Sequence, residues 1–175
     1  DFKVMLVEDA DITEMGKALG EFSSWMKKSN TSLFYFSGHA VQLGSKNYLL
    51  PIKSLKAIEK NLNDLSFFAQ IQRFEDKAIS SDRLISLIEN GHSENNIIFL
   101  DACQSNPLPE NTLEGLSKLN YGEKGTFISY AASPGKLAFD GNFFERNSPY
   151  TKQLLKFMKT PNQPIEIMLK EVGSA

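Results

Sequence analysis

Asn96-Ile97-Ile98-Phe99-Leu100-Asp101-Ala102-Cys103-Gln104-Ser105 is an apolar run that ends at a carboxylate and a thiol. Its continuous apolar core reads as a strand with both faces buried, as in a parallel sheet covered by helices. Cys103 is the sole cysteine of the chain. Upstream, a second apolar run, Ser32-Leu33-Phe34-Tyr35-Phe36, ends in Ser37-Gly38-His39-Ala40. Two parallel strands ending this way can bring a thiol and an imidazole to one sheet edge.

Outward from these runs the chain alternates between the two periods. Residues 2–7 alternate and are rich in β-formers, predicting a strand. Asp11 with Glu14 predicts a capping box, opening a helix with Met15, Ala18, Leu19, Phe22 and Trp25 or Met26 on one stripe and Asn30 at its close. Residues 46–52 read as a short strand or hairpin arm ending at Pro51. Residues 55–74 read as partly helical and insertion-like. Ser80 or Ser81 caps a helix with Leu84, Leu87 and Ile88, and Gly91 marks its stop. Residues 104–125 read as a long exposed loop and residues 126–131 as a further strand. Pro149 and Pro164 stand at the starts of two last helices. Helical crossovers between strands imply a mainly parallel sheet, with function at the carboxyl ends of its strands.

The chain has 175 residues, 41% hydrophobic and 23% charged, which suits one globular α/β domain. The net charge of −2 comes with no basic stripe, which argues against a nucleic-acid partner. No apolar run reaches the ~18 residues that would span a membrane. No signal peptide is visible, and the chain begins at Asp1, as a segment of a longer protein would. A lone cysteine has no internal disulfide partner, so a reducing interior, the cytoplasm, is the expected setting.

A free thiol titrates near ~8.5 and is mostly protonated at neutral pH. An adjacent imidazole makes it a nucleophile and later protonates the leaving amine. The alternative for Cys103 is a small buried hydrophobe. The alternative for His39 is a loop histidine bound to a backbone carbonyl; Gly38 favours the catalytic reading, since it permits a tight path that exposes the next residue. His92, in Gly91-His92-Ser93-Glu94, reads as part of a polar surface turn.

Taken together, FYFSGHAVQ, NYLLP, IIFLDACQSNP and GTFISYAASPGKLAFDG resemble the caspase-like cysteine proteases, above all paracaspases and bacterial metacaspase-like proteins. The opening DFKVMLVEDADITEMGKALGEF is similar to the second strand and following helix of paracaspases. The resemblance implies a three-layer α/β/α sandwich over residues 1–175, a p20-type catalytic domain without its first strand and without the final strand through which relatives dimerise. It implies a Cys103–His39 dyad, with the backbone N–H groups of Cys103 and Ala40 holding the oxyanion. The family usually has glycine at the position of Ala40. Asp101 stands where animal caspases have glutamine, and Asp140 stands where they have a pocket arginine. Ser37 matches a pocket serine of metacaspases. Carboxylates at these places favour cleavage after Arg or Lys over Asp. The alternatives are a strand-end carboxylate capping nearby N–H groups for Asp101 and an ordinary Asp-Gly turn for Asp140. No cofactor is implied. Metacaspases often require calcium, but no acidic spacing here assigns calcium ligands.

The expected function is therefore a regulatory, cell-death or defence endopeptidase acting on proteins or peptides with a basic P1 residue, with dimerisation through parts outside this segment. Lys118 and Lys124 offer basic sites for self-cleavage in the 104–125 loop. A second reading is an inactive caspase-like interaction module. A third is a thiol redox sensor, which has no need of the Ser37-Gly38-His39 word.

Overall fold

The computed structural model describes residues 2–102, 112–113, 116–117, 125–132 and 147–174. Three parallel strands form the central sheet in the order β1 (Thr31–Ser37), β5 (Asn95–Asp101), β7 (Thr126–Tyr130). Helices α1 (Ile12–Met26) and α4 (Ser81–Gly91) cover one face, packing on Phe34, Phe36, Ile98 and Leu100. Helices α5 (Pro149–Phe157) and α6 (Ile165–Ser174) cover the other, packing on Leu33, Ile97 and Phe99. Alternate residues of β1 and β5 thus serve opposite layers, which is why both runs are apolar throughout. The result is the expected α/β/α sandwich.

A smaller antiparallel sheet adjoins it. β2 (Ala40–Leu43) and β3 (Lys46–Leu49) form a hairpin, with β4 (Ile79–Ser80) on β3 and β6 (Thr112–Leu113) on β2. Between β3 and β4 the chain forms α2 (Ser54–Glu59), a short 3-10 turn and α3 (Phe67–Lys77). These close a satellite core around Tyr48, Ile58 and Phe74.

The capping box at α1 is present: Asp11 Oδ1 accepts from the Thr13 and Glu14 N–H groups, and the Asp11 N–H donates to Glu14 Oε2. Other expectations need correction. Residues 2–7 form no strand; Phe2, Val4 and Leu6 are 60, 79 and 77% exposed. Alternation prepares a strand but does not supply the neighbour whose ladder makes one. The segment instead leans on α1, with Lys3 Nζ 3.4 Å from the Trp25 ring centroid. α1 ends at Met26 with Lys27 as its cap, before Asn30. Gly91 lies inside α4, and His92 takes the left-handed cap at φ 56°. A Cβ on residue 91 would stand 2.8 Å from Met26 Cβ, so this glycine serves the close approach of α1.

The 104–125 stretch is not wholly an exposed loop. Residues 112–113 pair with β2, and Leu116 is buried in the main core. Buried Asn47 clasps Ser117: its Nδ2 donates to the Ser117 carbonyl and its Oδ1 accepts from the Ser117 N–H, both at 2.8 Å. Among the described residues no helix is long and apolar enough to cross a membrane.

Candidate active site

β1 and β5 run side by side in register, and their last pair is Ser37 with Asp101. The Gly38 N–H carries the ladder one step further by donating to the Asp101 carbonyl at 3.3 Å. Gly38 has φ +157°, and a Cβ there would meet the Phe36 ring at 3.1 Å. Glycine therefore suits the point where the chain leaves the sheet. His39 follows, exposed, and its carbonyl accepts the Leu50 N–H at 2.9 Å. That bond fastens the turn into the hairpin. Ala40 opens β2, buried and opposite Leu49. It is not among the described non-glycine residues of positive φ, so its methyl group brings no backbone strain.

Asp101 is 7% exposed. Its Oδ2 accepts from Ser148 Oγ and Thr151 Oγ1, each at 2.5 Å, and from the Tyr35 hydroxyl at 3.3 Å. Tyr35 Oη and Thr151 Oγ1 lie 2.6 Å apart. Ser148 also caps α5 by accepting the Thr151 N–H at 3.0 Å. Burial pushes the Tyr35 phenol up, against hydrogen bonds from Thr151 and Ser37, and the Asp101 charge pushes the same way as burial. Among the described residues, Asp101 is thus bound by hydroxyls from β1 and from α5 with its cap.

Of the site residues expected from sequence, Ser37, His39, Ala40 and Asp101 gather where β1 and β5 end. Cys103 and Asp140 lie outside the described residues, as do Lys118 and Lys124. Tyr35, Ser148 and Thr151 were missed. Ser148-Pro149 is a helix-start signal, but nothing local pairs it with Asp101. A concavity of about 1070 Å³, lined by residues including Phe2, Phe22, Trp25 and Thr31, sits at the opposite end of β1 from His39 and holds none of these groups. Among the described residues no cluster of three or more His, Cys, Asp or Glu offers a metal site.

No curated protein matches the chain. The caspase domain, a domain of cysteine proteases, matches it over residues 1–175. Two in-register parallel strands, helices on both faces and a histidine just past the first strand agree with that match. On this fold and on a match that runs the length of the sequence, the chain belongs to the caspase-domain family.

Proposed function

We propose that this protein is a cysteine endopeptidase that cleaves after arginine or lysine with a His39–Cys103 dyad. The observation that supports it is the register of β1 and β5. Ser37 and Asp101 form a pair, and His39 and Cys103 each follow that pair by two residues. Neighbouring strands lie about 4.8 Å apart, so two segments that leave one such pair begin close together.

In this scheme His39 takes the Cys103 proton as the sulfur attacks the scissile carbonyl. The N–H groups of Cys103 and Ala40 hold the developing oxyanion. His39 then protonates the leaving amine, and the C–N bond breaks to leave a thioester. A water, deprotonated by His39, attacks that thioester and releases the carboxylate product, and the proton returns to sulfur. No cofactor enters these steps. Asp101 and Asp140, with Ser37, are the residues proposed to bind the P1 cation. A cytoplasmic setting suits a thiol that must stay reduced.

Fluorogenic peptides ending in Arg, Lys or Asp test the reading. Cleavage is expected after Arg and Lys and not after Asp, and Cys103→Ala lowers it on the order of a thousandfold or more. Preferential cleavage after Asp overturns the basic-pocket assignment. Failure of an arginyl electrophile to label Cys103 in folded protein overturns the peptidase assignment and leaves an interaction module.

A further inference from the structure

We infer that Ser148 and Thr151 are specificity-determining positioning residues that, by occupying one oxygen of Asp101, bring lysine closer to arginine as a P1 residue. The inference rests on the peptidase reading above and deepens it. A carboxylate oxygen has two lone-pair sites. Ser148 Oγ and Thr151 Oγ1 each donate to Asp101 Oδ2 at 2.5 Å. Tyr35 Oη and Thr151 Oγ1 lie 2.6 Å apart, a contact in which either hydroxyl can donate. Tyr35 also reaches Oδ2, at 3.3 Å. All three contacts fall on Oδ2 and none of them on Oδ1.

The consequence is geometric. Arginine gains over lysine at a carboxylate when its fork makes two parallel N–H···O bonds, one to each oxygen. With Oδ2 filled, a P1 guanidinium meets Asp101 through Oδ1 alone. An ammonium, a point donor, makes that single contact equally well. The hydroxyls therefore remove the second tooth of the fork and leave the charge in place.

The test measures kcat/KM for matched peptides ending in Arg and Lys. Thr151→Val deletes one donor and keeps the shape. Ser148→Gly deletes the other while keeping a residue that is accepted at a helix start. In the double variant, which leaves only the 3.3 Å Tyr35 contact on Oδ2, the Arg/Lys ratio is expected to rise several-fold, up to about tenfold, as that oxygen becomes available to the fork, and each single variant moves it part of the way. The change should lie mainly in KM for the Arg peptide. Thr151→Ser, which retains the hydroxyl, is expected to restore the wild-type ratio. A loss of packing alone lowers both peptides together and leaves the ratio unmoved. A ratio that stays constant or falls in the double variant, with cleavage after Arg and Lys intact in the wild type, overturns this inference and spares the peptidase reading. Wild-type protein that cleaves after neither residue overturns both.

Discussion

Asp101 shows how one residue's surroundings reshape its chemistry. Its sequence position promised a carboxylate at a strand end; its partners, Tyr35, Ser148 and Thr151, come from distant parts of the chain. A carboxylate with 7% exposure needs such donors, because a buried charge without hydrogen bonds is costly. Gly91 makes a second case at the same scale. It is buried in α4, and a Cβ there meets Met26 Cβ at 2.8 Å and Met26 Sδ at 2.8 Å. Gly91→Ala gains helix propensity of about 1 kcal/mol but overpacks the α1–α4 contact by more. A net loss on the order of 1–2 kcal/mol is expected, read as a fall in Tm of about 2–4 °C per kcal/mol. A Tm that rises shows that α1 yields without cost.

At the scale of elements, the β2–β3 hairpin does more than follow β1. It fixes the backbone after His39 through the Leu50 N–H, and it holds the chain beyond β5 through Asn47. Asn47 is 1% exposed and satisfies both backbone groups of Ser117, which sits beside buried Leu116. Asn47→Ala leaves those groups without partners, at about 1–3 kcal/mol. Amide exchange at Leu116 and Ser117 is expected to speed up, while exchange in β5 stays slow. Equal acceleration in both places means that Asn47 supports the whole core and not this clasp. The residues from 104 to 125 read as exposed because they contain Asn, Pro, Gly and Lys; the clasp was not legible, since its other half lies in β3.

At the scale of the molecule, three tyrosines tie stability to alkaline pH. Burial pushes Tyr150 up to about 12, opposed by its hydrogen bond to Ser129. Burial also raises Tyr35 and Tyr48, the latter aided by the charge of Glu75. Each is protonated in the fold at a pH where the unfolded chain, with tyrosine near 10, has lost its proton. The unfolded state then binds fewer protons, so stability is full below pH 10 and falls as pH rises. For Tyr150 the fall runs from about pH 10 to about 12 and is on the order of 2 kcal/mol. Tm measured from pH 8 to 11.5 is expected to drop steeply above 10, and Tyr150→Phe to flatten the drop even where it lowers Tm at pH 8. An unchanged slope in that variant removes Tyr150 from the account.

The sequence by itself determined the two central strands, the capping box of α1, a helix start at Ser80 or Ser81 and another at Pro149, and the gathering of Ser37, His39 and Asp101 at strand ends. These are local patterns: period, caps and the side on which a strand stops are written in neighbouring residues. Tertiary structure alone decided the rest. It left residues 2–7 without a ladder, made β2 a strand through its pairing with β3, kept Gly91 inside a helix for the sake of Met26, and surrounded Asp101 with hydroxyls. Each of these depends on which distant group arrives opposite, and a hydrogen bond or a van der Waals contact between remote residues leaves no period in the chain that forms it.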